Sequence, residues 1–321
     1  MTRQTATTLT TTAPTAQYHA LIQIADLLRL MKTAGDFIIF DTRHDLMNIH
    51  WGAEQYAISH LPNARFAGLD SHLSAPKFGV GTPQFTGRHP LPDRAAFRAW
   101  LASQGVGDDT QVIVYDQGDG MYAARLWWMC RWAGVATVAV LDGGFAAWCG
   151  QGLDVTLDVT TDLPSIAAAD YTLKPALETV YKVDAVQALI EGKADKADKA
   201  TPLRIIDARA PERYRGEVEP LDRVAGHIPG AKNRFFKGNV AQGVFKQADV
   251  LQAEWLQMCG DNKVHETAQQ LIHTCGSGAT ACHNILALHV AGLVKTTEPS
   301  ILYAGSWSEW SADPCRAIEL G

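Results

Sequence analysis

The chain has 321 residues, of which 47% are hydrophobic and 19% charged, and this is enough apolar material for two ordinary domain cores. Its 28 Lys and Arg residues against 34 Asp and Glu residues give a formal charge of -6, with no basic block, so no nucleic-acid partner is expected. No apolar run approaches the roughly 20 residues of a membrane-spanning helix, so no membrane partner is expected either.

The Thr-rich first 16 residues are expected to form a disordered tail. The six cysteines include no CxxC pair, which excludes a zinc ribbon and a thioredoxin-type motif. Because no apolar leader precedes the first domain, we expect reduced thiols and a cytoplasmic protein. We also expect a monomer that needs neither a metal nor an organic cofactor.

Short apolar runs and longer helical stretches alternate along the chain. The runs at 37–40, 112–115 and 204–206 each end at a polar residue, which is typical of buried parallel strands. The stretches 123–133 and 280–291 have the helical period. This alternation predicts α/β domains, each with a mostly parallel sheet flanked by helices.

The second half of the chain repeats the landmarks of the first. The run ending in Asp41-Thr-Arg43 matches the run ending in Asp207-Ala-Arg209, and a strand before Asp116 matches the strand before Cys275. An offset of about 160 residues is too long for a solenoid unit, so it indicates a duplicated domain. The predicted division is a tail at 1–16, a first domain at 17–155, a linker at 156–175 and a second domain at 176–321.

The segment 272–280 predicts a strand, a glycine-containing loop and then a helix. Ligands of parallel sheets bind beyond the carboxyl ends of the strands, where the N–H groups of such a loop form an anion-binding nest. Gly276 and Gly278 permit the tight turn. We therefore interpret Cys275 as the nucleophile, stabilised as a thiolate. Asp116, its counterpart, cannot attack sulfur, so the first domain is predicted to be inactive.

Four other cysteines are interpreted as buried and inert, namely Cys130, Cys149, Cys259 and Cys282.

The loop Cys275-Gly-Ser-Gly-Ala-Thr280, the duplication and the aspartate of the silent loop together resemble the tandem rhodanese family. The similarity is to its thiosulfate/3-mercaptopyruvate sulfurtransferase branch and covers about residues 20–312. It implies two rhodanese-like domains and an enzyme whose Cys275 takes a sulfane sulfur from 3-mercaptopyruvate. The resulting persulfide would pass the sulfur to cyanide or to a thiol acceptor such as thioredoxin.

The identity of the sulfur donor depends on the loop. Family members specific for thiosulfate usually carry Arg and Lys where this chain has Gly276 and Ser277, which favours 3-mercaptopyruvate. Thiosulfate:cyanide sulfurtransferase (rhodanese) activity stays open as the alternative, and so does a non-enzymatic sulfur-carrier or redox-sensing scaffold.

The resemblance also assigns the substrate-binding residues. Gly276, Gly278, Ala279 and Thr280 would contact the substrate from the loop. Arg213 aligns with the arginine that binds the donor's carboxylate, a role suited to its bidentate geometry. A second family arginine, expected directly after Glu219-Pro220, is missing, and Arg223 is the candidate to replace it.

A proton relay is implied by three further residues, Ser277 of the loop and Asp70 and His89 of the first domain. Imidazole is suited to moving protons near neutral pH. Arg209, whose counterpart Arg43 lies in the silent half, is expected to be structural.

Two other enzyme classes fit the loop poorly. A Cys-x5-Arg phosphatase needs an arginine where this chain has Ala281, and its loop is one residue longer. A papain-like pairing of Cys275 with His283 and Asn284 fails because those residues lie only two helical turns further on.

Overall fold

The computed structural model describes residues 17–33, 36–82, 84–159, 171–193, 204–260 and 270–321. The predicted tail at 1–16 and most of the predicted linker lie outside these residues. Within them, no helix is long and apolar enough to cross a membrane. The same residues contain no group of three or more His, Cys, Asp or Glu side chains that could hold a metal ion.

The first half of the chain forms one α/β domain. Its strands, as far as the described residues go, are β1 (Leu21–Ile22), β2 (Phe37–Asp41), β3 (Ala64–Phe66), β4 (Gln111–Tyr115) and β5 (Val138–Leu141). Its helices are α1 (Ile24–Met31), α2 (Trp51–Ile58), α3 (Arg94–Ser103), α4 (Ala123–Trp132) and α5 (Gly144–Gly150). The strands pair in parallel in the order β1-β5-β4-β2-β3, which places β4 at the centre of the sheet.

The second half forms a similar domain. Its strands are β6 (Thr179–Tyr181), β7 (Arg204–Asp207), β8 (Lys232–Asn233), β9 (Val240–Ala241), β10 (Val244–Phe245), β11 (Leu271–Thr274) and β12 (Ile301–Tyr303). Its helices are α6 (Val183–Ile190), α7 (Pro211–Tyr214), α8 (Ala248–Cys259), α9 (Thr280–Val290) and α10 (Ser306–Trp310), with a 3-10 turn at Phe236–Asn239. The parallel order β6-β12-β11-β7-β8 makes β11 the counterpart of β4, and β9 and β10 form a separate antiparallel hairpin.

The predicted fold class is confirmed by this architecture. The central strand β4 is buried along its whole length, because its β-branched and aromatic residues pack against helices on both faces of the sheet. Helix α1 is instead amphipathic and buries Ile24, Leu27 and Leu30 on one face. Helix α3 is capped by Asp93, whose carboxylate accepts a hydrogen bond from Ala96 N at 2.9 Å.

The duplication extends to the side-chain contacts. Arg43 and Arg209 each donate through Nε to both carboxylate oxygens of the aspartate two residues before them, at 2.9 and 3.1 Å for Arg43 and at 3.0 and 3.1 Å for Arg209. The contacts agree with the structural role expected for Arg209. Similarly, His60 and His227 stack on tyrosines with ring centroids 3.9 and 3.8 Å apart.

A single hydrophobic core joins the two domains. Helices α4 and α9 pack against each other between the two sheets, and both are buried nearly all round, as helices enclosed by protein are. Arg131 of α4 crosses the interface and donates to the buried carboxylate of Glu178 at 2.5 Å. The domains are therefore held at a defined relative position, which a site made from both requires.

Buried histidines predict acid-sensitive stability. Burial lowers the pKa of His273 to about 3, and neither of its ring nitrogens has a hydrogen-bond partner among the described residues. Below about pH 6.5 the unfolded chain takes up a proton that folded His273 excludes, so stability falls as the pH drops toward the folded pKa. We expect His273→Leu to flatten the stability–pH curve by up to about 1.4 kcal/mol per pH unit between pH 6.5 and 4. Denaturant unfolding across this range measures the slope.

The exposed residue His50 provides the matched control, because His50→Leu removes a histidine that is solvated in both states. Equal slopes for wild type and His273→Leu would contradict the prediction.

Candidate active site

Cys275 lies directly after the central strand β11, at the carboxyl edge of the second sheet, and α9 begins five residues later. Its side chain is buried, and Sγ accepts a hydrogen bond from Gly278 N at 3.1 Å. Gly278 has φ +82°, and a Cβ there would lie 2.5 Å from Ala304 O. Only glycine fits this turn, which directs a backbone N–H at the sulfur.

The loop is held from behind by the first turn of α10. Trp307 N donates to Cys275 O at 2.9 Å, and Ser308 N donates to Gly276 O at 3.0 Å. Cys275 N donates to Ser306 Oγ at 3.1 Å. These bonds fix the backbone of residues 275 and 276, and the loop then directs the N–H of Gly278 at the sulfur.

The first domain supports the same loop through Arg125. This fully buried guanidinium, carried by α4, donates to Gly278 O at 3.2 Å and to His89 O at 3.1 Å. Burial lowers the pKa of Arg125, whereas the nearby sulfurs of Cys282 and Cys275 act in the opposite direction. A cation from the first domain therefore lies behind the loop of Cys275.

The three predicted relay residues come together in the structure. His89 Nδ1 lies 2.8 Å from Ser277 Oγ, and His89 Nε2 lies 3.6 Å from Asp70 Oδ1. Asp70 also forms an ion pair with Lys77. Burial, with the positive charges of Lys77, Arg125 and Arg88, lowers the pKa of His89 to about 2. The imidazole is therefore neutral at pH 7, with Nδ1 beside the Ser277 hydroxyl and Nε2 facing the Asp70 carboxylate.

Arg213 also reaches the loop. A Cβ on Gly276 would lie 3.4 Å from Arg213 Nη1, and Arg213 is partly exposed toward the cavity in front of Cys275. Its remaining N–H groups donate to Glu219 at 2.6 and 3.2 Å and to Asp222 at 3.3 Å. The guanidinium is thus positioned by two carboxylates, with one edge directed at the loop.

The cavity holding Cys275 has a volume of about 140 Å³ and adjoins a second cavity of about 250 Å³ that is lined by His89 and Asp70. Pockets for drug-sized ligands have volumes of about 300 Å³ or more. The cavity at Cys275 is smaller than that, so it suits only a small donor molecule. The predicted contact residues Gly276, Ala279 and Thr280 line the first cavity together with Ser277.

The structure places Arg223 elsewhere, against the expectation that it supplies the second cation. Its Nε donates to Ser311 O at 2.8 Å, and it does not line the cavity of Cys275. The reason is the turn after Glu219, whose Oε1 accepts N–H groups from Leu221 and Asp222 at 3.0 and 3.2 Å. That turn directs Asp222 into the site and Arg223 away from it.

Arg88 and Asp222 are the site residues that the sequence interpretation missed. Arg88 precedes the predicted relay histidine, and its Nη2 would lie 2.9 Å from a Cβ on Gly276. Its other terminal nitrogen forms an ion pair with Asp222. Only the adjacency to His89 could have pointed to Arg88.

None of the other five cysteines lines the cavity of Cys275. Cys130, Cys259 and Cys282 are buried, as predicted. The predicted burial of Cys149 is wrong: in α5 the buried face carries Trp148, and the next residue is turned about 100° around the helix into solvent. His283 contacts Asp119 O at 2.9 Å, so a pairing with Cys275 is not formed.

In the corresponding loop of the first domain, the side chain of Asp116 occupies the anion-binding nest. The carboxylate of Asp116 accepts four backbone hydrogen bonds, from Gly118, Gly120, Tyr122 and Ala123, at 2.8–3.2 Å. Both domains therefore build an anion site at the same position of the sheet, but only the second presents a sulfur to it.

Comparisons with known proteins agree with this geometry. The family model "Rhodanese-like domain" matches the chain at residues 24–151 and 184–313. A probable 3-mercaptopyruvate sulfurtransferase of Pseudomonas aeruginosa is 41% identical over 305 residues, covering 94% of this chain and 99% of the relative. A putative thiosulfate sulfurtransferase of Mycobacterium tuberculosis is 34% identical over 309 residues, covering 95% and 99%. The crystal structure of a 3-mercaptopyruvate sulfotransferase from Escherichia coli has a TM-score of 0.67 at 31% identity, covering 91% of this chain and 100% of that chain.

Proposed function

Because the chain belongs to the rhodanese family, we propose that it moves a sulfane sulfur from 3-mercaptopyruvate to a thiol or cyanide acceptor through a persulfide on Cys275. The observation that carries the proposal is Cys275, whose sulfur accepts the N–H of Gly278 and lies in a small cavity lined by the Arg213 guanidinium and by Ser277, which bonds to His89. The loop favours an anionic sulfur, and the guanidinium favours a donor with an anionic end.

The first step transfers the donor's sulfur. The Cys275 thiolate attacks the thiol sulfur, a sulfur–sulfur bond forms, and the carbon–sulfur bond of the donor breaks. The electron pair leaves on carbon as the enolate of pyruvate. The proton of the donor's thiol passes to that carbon, which the chain of Ser277, His89 and Asp70 is placed to assist.

The second step transfers the outer sulfur of the persulfide to the acceptor. A nucleophilic acceptor attacks its outer sulfur, the sulfur–sulfur bond breaks, and the Cys275 thiolate is restored. Because the sulfur lies in a cavity of about 140 Å³, the acceptor must present a slender nucleophile such as cyanide or a thiol. On sequence grounds, the proposal also includes that the enzyme is a cytoplasmic monomer and that a thiol protein such as thioredoxin serves as the acceptor.

Two observations favour 3-mercaptopyruvate over thiosulfate as the donor. Gly276 and Ser277 add no cation of their own to the loop, and a cation there would suit a dianion. The relay at Ser277 and His89 is useful only for a donor that gives up a proton. Thiosulfate needs no proton transfer, so the relay would be idle with it.

The test combines mass spectrometry with kinetics. After treatment with 3-mercaptopyruvate, the Cys275 peptide should gain the mass of about one sulfur atom. Steady-state assays with cyanide should give a higher kcat/KM for 3-mercaptopyruvate than for thiosulfate. A higher kcat/KM for thiosulfate would make thiosulfate the preferred donor. Persulfide formation without turnover would favour a non-enzymatic sulfur carrier or redox sensor.

Arg213→Ala should raise KM for both donors, since each presents an anionic group to the guanidinium. Losing a charge-assisted hydrogen bond costs about 1.5–3 kcal/mol, or roughly 10- to 150-fold in kcat/KM. The matched control is Arg215→Ala, because the exposed Arg215 pairs only with Glu217 in the described residues. Similar losses in the two variants would remove Arg213 from the binding site.

A further inference from the structure

The carboxylate of Asp70 faces two histidines of the first domain. Its Oδ1 lies 3.6 Å from Nε2 of the relay residue His89, and its Oδ2 lies 3.8 Å from Nε2 of His44. Oδ2 of Asp70 and Nε2 of His44 are both buried, and neither has a hydrogen-bond partner among the described residues. Buried donors and acceptors are normally paired in proteins, so a small side-chain movement that joins these two atoms would satisfy both of them.

The position of His44 is fixed by the loop that contains Asp116. Gln117 Oε1 accepts from His44 N at 3.4 Å, and Gln117 Nε2 donates to His44 O at 2.9 Å. The side chain of His44 is only 3% exposed, and its ring packs edge-on against the ring of Tyr122 with centroids 5.0 Å apart. The imidazole therefore has little freedom to turn, and its Nε2 stays close to Asp70.

The ring of His44 is neutral at pH 7. Burial lowers its pKa, whereas the charges of Asp70 and Asp45 act in the opposite direction. A neutral imidazole carries its proton on one nitrogen, and because a carboxylate faces Nε2, the Nε2–H tautomer is favoured. His44 is thus able to act as a donor to Asp70 without carrying a charge.

The ion pair with Lys77 does not hold Asp70 in one orientation by itself. Lys77 pairs with Oδ1, the same oxygen that faces His89, and the lysine side chain is 44% exposed. An exposed ammonium on a flexible stem leaves the carboxylate free to follow it toward solvent. A second hydrogen bond, on Oδ2, would prevent this, because a carboxylate held at both oxygens cannot rotate about its Cβ–Cγ bond.

We propose that His44 is a positioning residue of the proton relay, whose Nε2–H donates to Asp70 Oδ2 and thereby keeps Oδ1 directed at the Nε2–H of His89. This inference rests on the proposed function. With the proton of His89 held on Nε2, its Nδ1 accepts from the hydroxyl of Ser277, as a general base must. His44 does not line the cavity of Cys275, so it acts on the reaction only through Asp70.

The competing explanation is that His44 only fills space against Tyr122. His44 lines both the cavity of the relay and a cavity of about 590 Å³ beside the loop of Asp116, so deleting the ring would admit water as well as remove the N–H. His44→Phe separates these effects, because a phenyl ring keeps the packing and lacks the donor. His44→Gln supplies a donor again, since the amide nitrogen stands three bonds beyond Cβ, as Nε2 of histidine does.

The first experiment measures kcat and KM for both donors in His44→Phe and His44→Gln. The control is His50→Phe, in the same segment of the chain, because His50 is exposed. We expect His44→Phe to lower kcat for 3-mercaptopyruvate about 10- to 100-fold, the usual effect of a misplaced catalytic group, with KM within about twofold of wild type. The kcat for thiosulfate should change less than about twofold, because thiosulfate needs no proton transfer.

His44→Gln should recover most of the kcat that His44→Phe loses. Equal losses in the two variants, equal losses with the two donors, or a kcat for His44→Phe equal to that of His50→Phe would overturn the inference and leave His44 with a packing role.

NMR of isotope-labelled histidine rings gives a readout without turnover. Correlations between ring nitrogens and ring carbon-bound protons distinguish the two neutral tautomers, and the signals absent from His89→Ala protein identify His89. We expect the Nε2–H tautomer of His89 in wild type and in His44→Gln, and a mixture of both tautomers in His44→Phe. An unchanged tautomer in His44→Phe would contradict the inference. Absence of sulfur transfer in wild type would defeat the proposed function instead, and the spectra would still report on His44.

Discussion

Cys275→Ser should lose sulfur transfer from both donors completely while keeping the fold. A serine hydroxyl cannot form a persulfide, and it is small enough to accept the N–H of Gly278 in place of the sulfur. The backbone contacts that clamp the loop from α10 do not involve the side chain. Assays with cyanide measure the loss, and circular dichroism with thermal unfolding checks the fold.

Cys282→Ser is the matched control for this result. Cys282 is also buried beside the loop, where its Sγ donates to Gly278 O at 3.2 Å, and a hydroxyl can make the same bond. We expect this variant to retain most of its activity. Donor-dependent sulfur found on the Cys282 peptide, or residual turnover in Cys275→Ser, would show that the nucleophile has been assigned to the wrong cysteine.

His89→Ala should lower kcat/KM for 3-mercaptopyruvate by about 10²- to 10⁴-fold, the usual contribution of general acid–base help. The keto-acid donor loses a thiol proton and its product gains one on carbon, whereas thiosulfate requires neither transfer. His89 bonds directly to Ser277 at the loop, so its removal interrupts the relay. The measured quantity is the ratio of kcat/KM values for the two donors.

His50→Ala controls for the loss of any first-domain histidine, since His50 is exposed and its backbone N–H, not its ring, bonds to Asn48. An equal loss with both donors would reduce His89 to a residue that holds Ser277 in place. Ser277→Ala should reproduce the selective loss if the relay runs through the hydroxyl.

Much of this architecture could be predicted because it depends on local sequence. The strand before Cys275 and the helix after it are contiguous runs, and Gly278 marks the turn that only glycine allows. The relay was reachable through resemblance to a family. Arg223 was misplaced because a single side-chain hydrogen-bond acceptor, Glu219, turns the chain two residues earlier. Neither the composition nor the residue spacing of the sequence predicts such a turn.

The position of Arg88 beside the cysteine loop could not be predicted, since it depends on how the domains pack against each other. Arg88 meets Asp222 at a separation of 134 residues. The packing of α4 against α9 brings them together, and that packing also delivers Arg125 to the loop. The sequence predicts α4 and α9 as helices but does not indicate that they pack against each other. Residues that act across an interface are visible only once its two faces are known.

The side chain of Asp116 has the length of a persulfide-bearing cysteine. In a persulfide as in an aspartate, the terminal atom lies two bonds beyond Cβ, and Asp116 and Cys275 follow the corresponding central strands β4 and β11 of the two sheets. In the proposed cycle the anionic atom of the second domain lies one bond beyond Cβ in the Cys275 thiolate and two bonds beyond Cβ in the persulfide. The first domain therefore keeps, as a permanent part of its own chain, a group of the length that the second domain acquires only when sulfur arrives, and only the loop of the second domain changes its occupant during the reaction.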